Sequence, residues 1–176
     1  MAAPRRPDVS IPAGDYRIDP SLSSVEFVTR HFFNLGRVSG RVSVIDGQIR
    51  VADPLRESFV TARMAASSFN SGIGLRDWQV RSPFFLHARK HPYITFESTA
   101  LVQAAPDVWM IRGLLTARGG AAPVTLRVAR GDYADGHGLA ITAEGRVDRY
   151  AHGVRLMKGF AARHLDISVT VHARKI

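Results

Sequence analysis

The chain has 176 residues and a mass of 19.3 kDa, with 45% hydrophobic and 22% charged residues and a net charge of +9. That is one domain's worth of chain, able to bury about 70% of its unfolded surface, and its composition argues against disorder. It holds no cysteine, which excludes disulfide scaffolds, thiolate metal sites and thiol nucleophiles.

Residues 1–14 carry three prolines and few large apolar side chains, and read as a flexible leader ahead of a single domain over 15–176. Arg5 and Arg6 are not followed by the apolar stretch of a secretory signal, so the chain as given is expected to be cytoplasmic. Period-2 alternation then dominates, as half-buried strands require. It runs over 24–30, 41–51, 58–66, 93–102, 108–117, 123–130, 139–147 and 165–173. Asp46-Gly47 interrupts the second run and predicts a two-residue hairpin turn. In the last run Leu165, Ile167, Val169 and Val171 share one face, with Asp166, Ser168, Thr170 and His172 on the other. Further turns are expected at Gly119-Gly120 and across 131–138. Residues 70–91 break the alternation and end at Pro92, which predicts short helices across a face or mouth of the sheet. Eight or nine strands at short spacing mean an all-β sandwich or barrel.

No apolar run approaches the length of a membrane helix. The positive charge raises the question of nucleic acid. Lysine occurs only at Lys90, Lys158 and Lys175, the other cations are arginines scattered along the chain, and no stripe pairs them with exposed aromatics. The expectation is a solvated basic surface and no nucleic-acid groove. No Gly-x-Ser-x-Gly elbow or phosphate loop is present. His87 and His91 are four apart, but Pro92 and the missing acid weaken a metal site, so no metal and no cofactor is expected. What remains is a surplus of aromatics, Phe32, Phe33, Phe84, Phe85, Phe96, Trp78, Trp109 and Phe160, which either fill a core or line a cavity.

The run from Arg76 to Thr99 resembles the central motif of the YceI-like, polyisoprenoid-binding family. The matching pieces are Arg76-Asp77, Arg81-Ser82, Phe84-Phe85, His91-Pro92 and Thr95-Phe96-Glu97-Ser98-Thr99. Tyr16 to Phe27 with His31 resembles the opening strand, Gly113 to Leu126 a later hairpin, and Asp148-Arg149 with Gly153 a late segment. The resemblance spans about residues 14–174. It implies an eight-stranded antiparallel, lipocalin-like barrel with short helices in the 70–90 region, holding an isoprenoid, quinone or fatty chain. Family analogy also suggests a homodimer. The chain departs from the family at Trp78, where a small residue is usual, and at Ala151-His152, where Asp-Phe stands.

The expected function is to bind, sequester or carry an apolar small molecule, with no catalytic residue and no stable membrane insertion. Phe27, Phe33, Ile94, Phe96 and Trp109 are the candidate wall. Trp78, Phe84 and Phe85 are the candidate lid, with Trp78 gating the mouth. His31, Arg76 and Arg149 are the polar candidates near a head group, and His152 completes the set. The alternative is a cavity enzyme, a cyclase or isomerase folding a polyene or polyketide-like chain, with His152 and Trp78 as acid/base and shape elements.

Overall fold

The computed structural model describes residues 11–31, 36–134, 138–158 and 161–176. Nine strands follow one another: β1 (Gly14–Ile18), β2 (Ser24–His31), β3 (Gly36–Val51), β4 (Phe59–Ala65), β5 (Tyr93–Ala105), β6 (Val108–Ala117), β7 (Gly120–Ala134), β8 (Gly138–Asp148) and β9 (His164–Lys175). Every neighbouring pair is antiparallel, and the sheet closes through β9 onto β1 and β2. The nine strands occupy eight places. β1 pairs with the distal half of β3 (Tyr16 opposite Ile49) and β2 with its proximal half (Phe27 opposite Gly40). They are two halves of one interrupted strand between β3 and β9. The result is the expected all-β, eight-place closed barrel, whose width suits a filled interior or one small ligand.

Asp46-Gly47 is not the hairpin turn its dipeptide predicts. It lies inside the 16-residue strand β3, where the pairing with β4 shifts register between Val44 and Asp46. Gly47 serves close approach: a Cβ there would meet the Thr61 carbonyl oxygen at 2.5 Å and Ile18 Cδ1 at 2.6 Å. The bulge bends this long strand around the barrel. The true two-residue turn joins β6 to β7 at Arg118-Gly119, both with positive φ (52° and 74°), the backbone that such hairpins need. Of the expected turn across 131–138, residues 131–134 belong to β7, and residues 135–137 lie outside the described residues. Residues 1–10 of the expected leader lie outside the described residues. Ile11 packs against the core, and Tyr16 Oη donates to the Pro12 carbonyl at 2.7 Å.

Alternation sets the two faces of the wall. Inward positions of β1 and β3 are tightly closed by Tyr16, Ile18, Val42, Val44, Ile49 and Val51. Outward positions carry the charges. Arg41 meets Glu26, Arg50 meets Asp15, Arg63 meets Asp46 and Arg146 meets Asp166 across neighbouring strands. Many of the scattered arginines are therefore one half of an exposed cross-strand ion pair, each contributing little to stability.

One end of the barrel is covered. The connection from β4 to β5 contains a 3₁₀ turn (Ala66–Ser68), a single α-helix, α1 (Gly74–Arg81), and a run of turns. One α-helix stands where several short ones were expected, because Ser82-Pro83 ends it. Ser82 is extended (ψ 167°), as a residue before proline prefers. Among the described residues no helix is long and apolar enough to cross a membrane.

Candidate functional site

The covered end is built from residues that sequence patterning does not single out. Phe69, 1% exposed, stacks on the inward-facing Phe27 with ring centroids 5.1 Å apart. Both rings lie over Gly40, where a Cβ would meet Phe69 at 2.6 Å and Phe27 at 3.1 Å. Asn70 forms a backbone bridge to Arg41 of β3, anchoring one flank of the connection. Arg81, at the C-terminus of α1, donates through Nε and Nη2 to the Phe69 carbonyl at 3.1 and 2.5 Å. Asp77 is the residue that α1 turns inward, and its Oδ1 accepts from the Ser71 amide (2.8 Å) and hydroxyl (2.7 Å). The Ser71 hydroxyl in particular holds this carboxyl below its ordinary pKa.

The other flank is anchored by the β6–β7 turn. Arg118 Nη1 donates to the carbonyls of Pro83 and Phe85. On the far side of the same turn, His152 Nδ1 lies 2.8 Å from the Gly120 carbonyl oxygen. His152 is buried, and its Nε2 meets no hydrogen-bonding partner among the described residues. His87 and His91 lie close by, with ring centroids 5.8 Å apart. Burial, and then the neighbouring His91, push the His87 pKa down. Among the described residues no group of three or more His, Asp or Glu side chains is arranged to hold a metal ion.

Inside the wall, Phe27, Ile94 and Phe96 share the interior with Met64 and Ala62. Phe96 lies over Gly113, whose added Cβ would sit 2.5 Å from the ring. Trp109 is half-buried on the inward face it shares with Ile111, Gly113 and Leu115, toward the uncovered end. The inward faces of β2, β6 and β9 differ from those of β1 and β3. Phe27, Ile111, Leu115, Leu165, Ile167 and Val169 pack against the core yet keep part of their surface accessible. Thr29 Oγ1, on the same inward face of β2 as Phe27, is buried and meets no hydrogen-bonding partner among the described residues.

Arg149 is 6% exposed, and its guanidinium donates to four carbonyls of the β8–β9 connection: Ala162 (2.8 Å), Val154 (2.9 Å), Leu156 (2.7 Å) and Ala161 (3.1 Å). Burial lowers its pKa. It organises that loop, and a head group would have to compete with those carbonyls. Trp78 is 68% exposed and Phe84 65% exposed, so neither ring fills the mouth; Phe85 and Arg76 are half-buried. The His31 backbone belongs to β2, while its side chain and Phe33 lie outside the described residues.

A closed eight-place antiparallel barrel, apolar within and covered at one end, has the architecture of the lipocalin-like class of folds. The family model of the YceI-like domain matches residues 16–174, and the chain belongs to that family. Protein YceI of Escherichia coli O157:H7 is 29% identical over 167 residues, covering 90% of this chain and 86% of that one. A UPF0312 protein of Vibrio cholerae is 30% identical over 126 residues, and the match spans 67% of this chain and 66% of the relative, just under two thirds. The fold is similar to that of BcnA from Burkholderia cenocepacia, with a TM-score of 0.77, 20% identity, and 90% and 99% of the two chains covered. It is also similar to a polyisoprenoid binding domain from Saccharophagus degradans, with a TM-score of 0.65, 13% identity, and coverage of 94% and 100%.

Proposed function

We propose that this protein binds one apolar, chain-like small molecule in its barrel and sequesters or carries it, the ligand being an isoprenoid, a quinone or a fatty chain. The observation that carries this reading is the contrast between the two halves of the interior. The β1–β3 wall is closed by fully buried side chains, while Phe27, Leu115, Leu165, Ile167 and Val169, on inward strand faces, keep accessible apolar surface. Covering that surface is favourable by about 25 cal/mol per Å² and needs no catalytic group. The polyisoprenoid-binding domain of similar fold supports the ligand class. Thr29 Oγ1, buried and without a partner among the described residues, is a hydroxyl that an oxygen on such a chain would satisfy, since an unpaired buried polar group is costly.

The test is native mass spectrometry of protein purified from its own host, followed by organic extraction and identification of what is released. A single apolar species at one per chain supports the reading. Protein that emerges empty, and that then binds no apolar fluorescent probe at a saturable site, overturns it.

A further inference from the structure

We propose that the covering segment, residues 70–92, is a docking surface for an anionic lipid bilayer. Four large apolar side chains stand free within twelve residues of it: Ile73, Leu75, Trp78 and Phe84, from 49% to 78% exposed. Monomeric proteins seldom show so concentrated a patch without a partner. The same stretch contains one acid, Asp77, and the fold removes it from the surface, 7% exposed and bound to Ser71. Arg89 and Lys90 of the same segment are exposed, Arg76 is half-exposed, and the whole chain carries +9. The segment therefore presents cations and protruding apolar side chains and no exposed carboxylate.

That combination favours a bilayer over other occupants. Side chains exposed to this degree project from the surface and do not line a groove, so a protein partner would need four separate pockets for them. A fluid interface accommodates them as they are, and an indole is well suited to headgroup depth. A second copy would bring the same cationic patch against itself, whereas anionic headgroups complement it. The helix has eight residues and lies on the interface without crossing it. The inference does not rest on the ligand reading, though it would bring the covered end of the barrel to the phase where apolar chains reside.

The experiment is co-sedimentation of the full chain with vesicles of phosphatidylcholine alone and of phosphatidylcholine mixed with phosphatidylserine, at low and high salt. The expected result is retention on the anionic vesicles only, lost at high salt. L75S/W78S and R89E/K90E should each weaken it by about tenfold or more while keeping the wild-type melting temperature, because all four side chains are solvent-exposed. Absence of retention, equal retention on neutral vesicles, or variants that sediment like wild type would overturn the proposal. So would self-association in gel filtration that L75S/W78S abolishes, since a second copy would then cover the patch. None of these readouts requires a bound ligand, so failure here leaves the container reading standing.

Discussion

Arg118 and Phe85 join the two parts of the covered end: the Arg118 guanidinium, carried on the β6–β7 turn, donates to the Phe85 carbonyl and to that of Pro83. The connection between β4 and β5 is thereby held on its far flank by one side chain from a tight turn. Arg118→Ala should release it, at a cost of about 1–3 kcal/mol for the lost charge-assisted bonds. Hydrogen exchange should rise across residues 82–91, and an apolar probe should exchange faster with little change in affinity. Unchanged exchange in that stretch would show that Arg118 does not hold the cover.

Arg149 should be the most sensitive of the charged residues. Its four carbonyl acceptors come from Val154, Leu156, Ala161 and Ala162, and no water can replace a buried guanidinium among them without a new arrangement of the loop. Arg149→Ala should cost about 3–5 kcal/mol in denaturant unfolding, as breaking a buried charged network does. Arg149→Lys should rescue little, because an ammonium is a point donor and lacks the planar fork. Full stability in either variant would mean that the loop holds itself.

The Asp148 carboxylate lies across the Arg163 guanidinium, with Oδ2 at 2.9 Å from Nε and 2.6 Å from Nη2. That pairing, with the Tyr150 amide also donating to Oδ1, lowers the Asp148 pKa to about 2. A carboxyl with a lower pKa folded than unfolded stabilises above its unfolded value, near about 3.9. The contribution is complete above about pH 5 and disappears as pH falls toward 2. Asp148→Asn keeps an acceptor for Tyr150 and removes the titration. It should lower stability at neutral pH and flatten the decline between about pH 4 and pH 2. Parallel acid-unfolding curves for the two proteins would contradict the assignment.

The sequence was legible where one side chain per two residues decides the matter. The alternation of Leu165, Ile167, Val169 and Val171 became the inward face of β9, and 108–117 matched β6 to the residue. It misled at Asp46-Gly47, because the same dipeptide serves a turn or a close approach, and only the nearness of Thr61 and Ile18 separates them. The covered end was legible as a break in the pattern but not as a constellation. Phe69, Arg81 and Arg118 act through backbone carbonyls and through Gly40, contacts that carry no periodic signature. Trp78 marks what the alternation left open: a large side chain on the covering segment predicted a gate, and α1 places Asp77 inward with the indole exposed.

Gly47 offers a direct test of that correction. Its φ is not in the left-handed region, so a turn-forming glycine would tolerate different replacements from a packed one. Gly47→Ala should cost about 1–3 kcal/mol, because the added methyl must displace a backbone carbonyl as well as Ile18. A neutral or stabilising Gly47→Ala in denaturant unfolding would show that β3 and β4 can separate at the bulge.

The interior wall and the exposed rim of the cover should respond oppositely to substitution. Ile167 is paired with Phe27 on β2 and with Gly145 on β8, lies on the inward face of β9 and is only partly buried. Ile167→Trp should occupy the space proposed for the ligand and weaken an apolar probe by about tenfold or more, while overpacking costs no more than about 1–3 kcal/mol of stability. Trp78→Ala should leave both the affinity and the preferred chain length of competing fatty chains unchanged, since the indole stands in solvent. Titrating a chain-length series against both variants separates the positions. A changed length profile in Trp78→Ala would show that Trp78 gates the mouth, and undiminished binding in Ile167→Trp would place the ligand somewhere other than beside β9.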